Sequence, residues 1–520
     1  MTDKVIVTNF SALKAKYGRG LTAIRAAIRR LIAADRKRGI QTRLVAIDSK
    51  SAMKRLGAPR VSDAADPEQN KKAIDGVYRK LLPDYLTLLG AVDVIPHQDL
   101  INPVYDGSDD PDADPDPCAY GDLPYACEGP YSRQPQDFLG ATRVVGRLPD
   151  VTGASDPDYL VGLLRTAAGW RERDEADYLP YLAFSAQIWQ RSTQQSLRKA
   201  FGSAADLELV PPNDSRWTAA QLKRLSHFIN CHGAEADFHF YGEERRTGRQ
   251  PTSHVSTWID GKIVEGTIVA AECCYGSELY DPAKSDHEGI CSTYLAGGAY
   301  AVIGATTIAY GEASRNTDAD LMCQYFFRRV LTGASVGRAF LEARQEFAQS
   351  APELDPMDLK TLAQFTLLGD PSIQPVAVPA PSAIRQPKGR AAVASAARVE
   401  RRGRREALAF KGETIASTQA AAVRQPAARP SGRVRSDLMK LARAAKIMRP
   451  KMLSFTVTRP QAFAMRRSAR AGASVRARTT FHVVLGARRT RVKTPVPPVV
   501  AIVAKVVNGR VVSTREVHRH

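Results

Sequence analysis

The sequence lacks the features that would place the chain in a membrane or in an oxidising compartment. No apolar run approaches the roughly 18–20 residues that a membrane-spanning helix needs. Residues 1–7 resemble a strand, not a basic and then apolar leader segment, so we expect a cytoplasmic protein. The seven cysteines are irregularly spaced, which fits a reducing compartment better than a disulfide framework.

Ligand spacing typical of zinc sites is also missing. The chain has neither paired Cys-x-x-Cys motifs nor a His-x-x-x-His cluster, so we assign no metal ligand and expect no required cofactor. The loop at 103–136 is rich in Asp, Pro and Gly, and oxygen-rich loops of this kind suit calcium. Its acids are not spaced as in an EF-hand, and several adjoin prolines. A calcium ion here would be structural, and a solvated surface loop is the alternative.

Positive charge is concentrated at the end of the chain. Residues 1–378 hold 42 Lys and Arg against 49 Asp and Glu, a net charge of −7. Residues 379–520 hold 32 against 5, a net charge of +27. The overall charge of +20 therefore describes a basic tail on a mildly acidic front part, and the two parts need separate interpretations.

The hydrophobic pattern before the tail alternates between helices and strands. Leu21, Ile24, Ile28 and Leu31 repeat at spacings of 3, 4 and 3, which is one apolar helix face, and Gly39 follows as a stop signal. Strand-like segments lie at 5–7, 43–48, 85–90, 181–188, 222–230, 268–271, 300–304 and 365–368. Strands separated by helices predict an α/β fold with an open, mostly parallel sheet flanked by helices.

The same pattern divides the chain into four predicted parts. Two α/β subdomains, 1–165 and 166–378, are followed by an Arg-, Ala- and Pro-rich segment at 379–450, for which we predict a linker. Residues 451–520 are rich in β-branched residues, and an Asn-Gly pair at 508–509 predicts a two-residue hairpin. We therefore expect a small basic β module at the end.

Two segments place chemically active residues directly after an apolar strand. Residues 228–233 read Phe-Ile-Asn-Cys-His-Gly, so the first strand runs out at His232. Residues 267–276 read Thr-Ile-Val-Ala-Ala-Glu-Cys-Cys-Tyr-Gly, so the second runs out at Cys273 and Cys274. In a parallel sheet both ends lie at the same carboxyl edge, where α/β folds build their sites.

A histidine near a cysteine suits nucleophilic catalysis. A protonated thiol is a poor nucleophile, and an imidazole that takes its proton can later protonate the leaving amine. Gly233 permits a tight turn after His232, and its N–H can face an oxyanion. The alternative from the residues alone is a structural histidine with interior cysteines, because both occur in protein cores.

The His-Gly pair and the Cys-x-x-Gly about forty residues later resemble the signature of caspases, separases, CHAT proteases and gingipains. Further segments resemble the gingipain-like branch in its own order: 87–96 (Thr-Leu-Leu-Gly-Ala-Val-Asp-Val-Ile-Pro), 122–126 (Asp-Leu-Pro-Tyr-Ala), 145–149 (Val-Gly-Arg-Leu-Pro), the glycine-rich 295–305, and 367–372 (Leu-Leu-Gly-Asp-Pro-Ser). The resemblance covers about residues 85–375. It implies a caspase/gingipain-like fold and a cysteine endopeptidase that acts on a protein or peptide substrate.

The resemblance also implies roles at the two strand ends. Relatives with Cys-x-x-Gly place the nucleophile three residues before the glycine, which favours Cys273. Caspases use Cys-x-Gly, which leaves Cys274 as the alternative nucleophile. His232 is then the general base, and the N–H groups of Gly233 and Cys273 are the expected oxyanion donors. An acid often orients the histidine in this family, and no position in the sequence can be assigned to that role.

Substrate preference depends on acids near the cleft. Relatives that cut after Arg or Lys often carry Asp just past the first strand of the catalytic subdomain, where this sequence has Gln187. That departure puts a preference for basic residues in doubt. Glu235, Asp237 and Glu278 lie close in sequence to the proposed catalytic residues and are the other pocket candidates, with solvated carboxylates as the alternative.

The basic tail supports a second hypothesis of another class. Its cations would attract nucleic acid or an anionic surface without reading a sequence, and aromatics for base stacking are scarce there. The chain would then be a catalytically silent, peptidase-like scaffold that binds nucleic acid or a protein partner through residues 379–520. The intact histidine and cysteine argue against silence. The tail could also be an internal substrate, or simply a solvated linker.

Overall fold

The structure is a computed structural model that describes residues 2–213, 216–378, 390–426, 428–459, 479–490 and 492–520. No helix within these residues is both long enough and apolar enough to cross a membrane. Apart from 379–389 and 460–478, only isolated positions lie outside the described ranges. Residues 379–389 belong to the predicted linker, and residues 460–478 belong to the predicted β module.

The helices follow the apolar periodicity of the sequence. They are α1 Phe10–Tyr17, α2 Leu21–Lys37, α3 Lys50–Leu56, α4 Pro67–Leu81, α5 Asp158–Gly169, α6 Glu175–Tyr178, α7 Gln190–Phe201, α8 Ala219–Leu222, α9 Ser256–Ile259, α10 Ile290–Ala296, α11 Asp318–Leu331, α12 Val336–Ala348, α13 Pro356–Gln364, α14 Arg390–Thr418 and α15 Gly432–Ala444. The apolar face of α2 is buried, as its spacing predicts. Asp66 caps α4 by accepting a hydrogen bond from the Gln69 N–H, ahead of a proline in the first turn.

The strands of the largest sheet are short and, apart from its two edge strands, almost wholly buried. In chain order, the strands of the structure are β1 Lys4–Thr8, β2 Thr42–Ala46, β3 Tyr85–Leu89, β4 Gln98–Ile101, β5 Cys118–Gly121, β6 Val145–Leu148, β7 Tyr181–Ala186, β8 Leu207–Val210, β9 Ser226–Asn230, β10 His232–Gly233, β11 His239–Tyr241, β12 Thr252–Val255, β13 Ile268–Ala271, β14 Ala301–Ala305, β15 Tyr310–Gly311, β16 Glu353–Leu354, β17 Phe365–Leu368, β18 Ala420–Arg424, β19 Lys451–Thr458, β20 Thr479–Ala487, β21 Val499–Val507 and β22 Arg510–Arg519. Buried apolar strands of this length are typical of sheets that are covered on both faces.

Ten strands form one sheet in the order β2-β1-β3-β6-β17-β14-β13-β9-β7-β8. Neighbouring strands run parallel except β14 and β17, which run antiparallel. The sheet therefore consists of two five-stranded parallel halves that run in opposite directions. The predicted α/β fold with a mostly parallel sheet is confirmed, and the two predicted subdomains contribute to one continuous sheet.

The tail is more ordered than its composition predicts. Where we expected a linker, the structure has α14, β18 and α15. Alanine and arginine have high helix propensity, and Leu408 and Ile415 pack against the main core, which explains how this segment forms a long helix against the body of the protein. The helix is anchored, because Arg398 pairs with Asp3 and Gln345 Nε2 donates to the Leu408 carbonyl at 2.8 Å.

The end of the chain forms a curled antiparallel sheet that includes two strands of the front part. Its order is β15-β22-β21-β20-β19-β18-β16. Asn508 and Gly509 join β21 to β22 with positive φ angles of 50° and 75°, the conformation that this pair favours in a hairpin. One face of the sheet contributes to the main core, and the other packs against α15. The four-part division of the chain remains a prediction. The strands of its last part share one sheet with β15 and β16 of the front part.

Candidate active site

Two neighbouring strands bring the predicted histidine and cysteines to one sheet edge. Strands β9 and β13 run parallel, and Ile229 lies opposite Ala271 at the end of their ladder. Beyond this last pair, Gly233, the residue after His232, lies against the Cys274 carbonyl oxygen. Cys231 is instead a close neighbour of Cys273. Both cysteines lie in the turn that follows β13, and their contacts show that the two side chains have different surroundings.

Cys274 lies at the carboxyl edge of the sheet. The Ala309 N–H donates to its Sγ at 3.2 Å, and the thiol itself donates to the His520 carbonyl oxygen. The side chain is fully buried. Burial raises the pKa of the thiol to about 11, although the charge of Arg519 opposes the shift. In this conformation the thiol is therefore protonated at neutral pH.

Cys273 faces the interior of the protein. It is fully buried, and burial raises its pKa well above the usual range, with further unfavourable interactions from Cys231, Cys274 and Glu272. Those interactions oppose a thiolate at this position. The two cysteines therefore differ in surroundings, and Cys274 is the one that contacts Ala309 and His520.

His232 is held by a carboxylate that the sequence did not reveal. Its Nε2 donates to Glu243 Oε2 at 2.8 Å, and both side chains are buried. Burial alone would raise the pKa of Glu243, but the hydrogen bond and charge of His232 outweigh it and lower the pKa. Arg488, the residue that follows β20, pairs with the other oxygen of this carboxylate, Glu243 Oε1, at 2.7 Å.

The second ring nitrogen of His232 has no hydrogen-bond partner among the described residues, although it is buried. The imidazole of His232 also packs edge-on against Trp189, with ring centroids 4.6 Å apart. Trp189 therefore limits how the ring can turn. The bond to Glu243 fixes Nε2, and Nδ1 is left as the nitrogen that can exchange a proton with another group.

Glu243 reaches His232 through a small antiparallel sheet. Strands β10 and β11 pair so that His232 lies opposite Tyr241, and Glu243 follows two residues later. A carboxylate eleven residues after the histidine carries no recognisable motif. The position of Glu243 beside His232 can be recognised only once the antiparallel pairing of β10 with β11 is known.

Gly233 meets the cysteine turn at very close range. A Cβ atom at this position would lie 2.0 Å from the Cys274 carbonyl oxygen, so a side chain cannot be accommodated without displacing backbone. The glycine thus allows the two strand ends to approach each other. The backbone N–H groups of Gly233 and Cys274 therefore belong to two neighbouring segments near the Cys274 thiol.

The predicted pocket residues are mostly engaged elsewhere. Gln187 Nε2 donates to the Pro211 carbonyl at 3.0 Å, and its Oε1 accepts from Arg245 N–H, so this side chain ties loops together. Asp237 accepts hydrogen bonds from Tyr241 and His239. Glu235 is exposed and Glu278 is partly buried. Burial raises the pKa of Glu278 to about 8, against the hydrogen bond that it accepts from the Ala236 N–H.

The acids of the 103–136 loop are paired with lysines and hydroxyls. Asp114 binds Lys360 and accepts from Tyr310 Oη, and Lys451 contacts Asp106 and Asp110 at 2.7 and 3.0 Å. Within the described residues no group of three or more His, Cys, Asp or Glu side chains could hold a metal ion. Calcium in this loop remains a prediction.

Comparison with known proteins gives a family match and a structural match. Residues 225–376, which contain β9 to β17 and the whole His232–Cys274 edge, match the sequence profile described as "Peptidase family C25". The chain carries a peptidase family C25 domain. A solved structure titled "Structure of Protease" aligns with 99% of this chain and 97% of its own, at 10% identity and a TM-score of 0.46. No curated protein matches.

The C25 domain does not contain every group at the site. Arg488, which pairs with Glu243, and His520, whose carbonyl accepts from Cys274, both lie outside the matched residues. Trp189, which packs on His232, lies before them. The site is therefore built from the C25 domain together with flanking parts of the chain.

Proposed function

We propose that the protein is a cysteine endopeptidase in which Cys274 is the nucleophile, His232 is the general base and acid, and Glu243 positions His232. The match of residues 225–376 to peptidase family C25 supports peptidase chemistry. The observation that carries the residue assignment is the close approach of the His232–Gly233 segment to the Cys274 carbonyl oxygen, just past the end of the β9–β13 ladder. We therefore propose the alternative nucleophile, Cys274, in place of Cys273, which the Cys-x-x-Gly spacing favours.

The proposed reaction has two stages. The Cys274 thiol gives its proton to His232 Nδ1 while Sγ forms a bond to the scissile carbonyl carbon. The imidazolium then protonates the leaving amine as the C–N bond breaks, which leaves a thioester. A water molecule loses a proton to His232 and attacks the thioester, and the C–S bond breaks to return the thiol and release a carboxylic acid.

The N–H groups of Gly233 and Cys274 are the proposed oxyanion donors in both stages. They replace the earlier pair of Gly233 and Cys273, because the donor beside the reacting sulfur is the N–H of the nucleophile itself. Such donors contribute most where water is excluded, and this edge of the sheet is buried. Glu243 keeps Nε2 occupied, so that Nδ1 serves the cysteine.

Paired cysteine variants test the assignment. Wild type, Cys273→Ala and Cys274→Ala are incubated with an unbiased peptide library, with calcium and with chelator, and cleavage is read by mass spectrometry. We expect Cys274→Ala to lose about a thousandfold or more of the cleavage rate, because nucleophile loss removes the covalent route. Cys273→Ala, the matched control, should retain cleavage. Loss of cleavage in Cys273→Ala together with retention in Cys274→Ala would overturn the assignment.

A further inference from the structure

The last residues of the sequence enter the proposed active site as an added strand. Strand β22 runs antiparallel to β15, with Arg519 opposite Tyr310 and His518 opposite Gly311. The His520 N–H continues this ladder by donating to the Ala309 carbonyl at 3.0 Å. Peptides that bind to a sheet edge in this way are held by backbone hydrogen bonds, and side-chain pockets select among them.

His520 occupies a defined place beside the nucleophile. Its carbonyl oxygen accepts a hydrogen bond from the Cys274 thiol, so its carbonyl group lies where a scissile carbonyl must come. Its ring stacks on Trp189, with centroids 4.3 Å apart and planes at 24°. The ring is fully buried, and neither of its nitrogens has a hydrogen-bond partner among the described residues.

Gly311 leaves the space that the His520 ring fills. A Cβ atom on Gly311 would lie 2.2 Å from His520 Nε2 and 3.4 Å from Asp320 Oδ2. The pocket is thus bounded by Trp189, by the backbone of Gly311 and by the buried Asp320. One residue earlier, the Arg519 side chain is buried, with Cys274, Tyr310 and Asp114 as its electrostatic neighbours.

We propose that residues 518–520 occupy the cleft that binds the acyl side of a peptide substrate, with His520 in the pocket for the residue before the scissile bond. The inference rests on the proposed role of Cys274. It assigns β15 as the strand that pairs with substrate, and Trp189 and Gly311 as the residues that shape the first pocket. It also makes this strand an internal inhibitor, because a substrate enters only when the strand leaves.

The burial of the catalytic groups agrees with this arrangement. Cys274 is fully buried and His232 is 2% exposed, so no external carbonyl can reach the thiol while the strand is in place. Arg515 anchors the same strand by pairing with Asp318 and Asp355. Because the strand is tethered, its effective concentration at the cleft is on the order of millimolar or higher, which a weakly binding substrate cannot match.

The test is the accessibility of the Cys274 thiol. The full chain and a variant that lacks residues 518–520 are treated with iodoacetamide, and carbamidomethylation of Cys274 is followed by peptide mass spectrometry. We expect the rate to rise about tenfold or more in the shortened chain, because the cleft of the full chain is open only for a small fraction of the time. Val512→Ala, at an exposed position of the same strand, is the control and should label like wild type.

Two further arms separate release of the strand from damage to the fold. Gly311→Ala keeps the whole strand but fills the space of the His520 ring, and it too should accelerate labelling. The free peptide Arg-Glu-Val-His-Arg-His should slow labelling of the shortened chain, whereas a scrambled peptide should not. Unchanged labelling in both variants, or no protection by the peptide, would overturn the inference.

Activity of the shortened chain distinguishes this inference from the proposed function. If Cys274 becomes accessible and the peptide protects it, the cleft assignment stands whether or not any library peptide is cut. If the thiol is exposed and protected but nothing is cut, the proposed peptidase activity fails instead. Faster cleavage by the shortened chain than by the full chain supports both.

Discussion

At the residue scale, the site depends on a difference of one position. Cys273 and Cys274 are adjacent, yet Cys273 has Cys231 and Glu272 as its neighbours, whereas Cys274 contacts Ala309 and His520. A difference of one position in the turn after β13 therefore gives the two thiols different surroundings. The raised pKa of each thiol has burial as its main cause, but only that of Cys274 is opposed by a nearby cation, Arg519.

Glu243 is the residue whose role is most directly testable here. Glu243→Gln keeps the size of the side chain and an oxygen for Nε2–H, but it removes the charge that, in the proposed mechanism, stabilises the His232 imidazolium. We expect kcat to fall about a hundredfold or more with little change in KM, because the group acts on the transition state and does not touch substrate. Steady-state kinetics on a cleaved library peptide measure both constants.

The neighbour Glu244 supplies the control for that experiment. It binds Thr247 Oγ1 at 2.5 Å and does not contact His232, so Glu244→Gln should leave kcat unchanged. Glu243→Asp should recover part of the rate relative to Glu243→Gln. It restores the charge, although the shorter side chain leaves a longer distance between the carboxylate and His232 Nε2. A KM increase in Glu243→Gln at constant kcat would mean that this residue binds substrate and does not position His232.

Sequence alone could place the site but could not complete it. The apolar strands ending at His232 and at the cysteine pair are visible as patterns, and parallel pairing then puts them at one edge. The choice between Cys273 and Cys274 needs the contacts of the two thiols, which the pattern does not contain. Glu243 and Trp189 contact His232, and Arg488 pairs with Glu243, although no local spacing in the sequence encodes these contacts.

At the scale of elements, α14 shows how packing changes the outcome of a biased sequence. Composition predicts a linker, yet the helix lies against the loop at 140–142 with backbone atoms almost in contact. A Cβ on Gly412 would lie 2.2 Å from the Ala141 carbonyl oxygen, and one on Gly140 would lie 2.1 Å from the Gly412 carbonyl oxygen. The two glycines therefore permit a close approach that a periodicity argument cannot detect.

Matched glycine variants test this contact. Gly412→Ala must push the helix away from backbone atoms that cannot rotate aside, so we expect a loss of about 1–3 kcal/mol in the free energy of unfolding. Gly403→Ala lies in the same helix with nothing within 4 Å of the new methyl group, and it should gain about 0.5–1 kcal/mol through helix propensity. Chemical unfolding of both variants and wild type measures the difference. Equal effects in the two variants would show that α14 does not pack as described.

At the scale of the whole molecule, the charge imbalance along the sequence becomes a complementarity between its parts. The front part is net acidic and the tail net basic, and several tail cations contact front-part carboxylates. These pairs are Arg398–Asp3, Arg405–Asp84, Lys451–Asp106, Arg488–Glu243, Lys505–Glu353 and Arg515–Asp318. The basicity that suggested nucleic-acid binding thus has a partner within the chain, although the tail carries more cations than these pairs use.

The seven-stranded sheet makes the two parts one cooperative unit. β15 and β16 of the front part form its two edges, and the main apolar core includes Phe481, Val483 and Val517 of the tail together with residues of the front part. We therefore expect a chain that is cut between residues 383 and 384, at an inserted site for a specific protease, to stay associated after digestion. Salt does not weaken apolar contacts, and it screens buried ion pairs only a little. The fragments should therefore co-elute in size exclusion even at about 1 M salt. Elution of two separate fragments at low salt would show instead that the tail is an independent module, and its free cations would then be the first surface to examine for nucleic-acid binding.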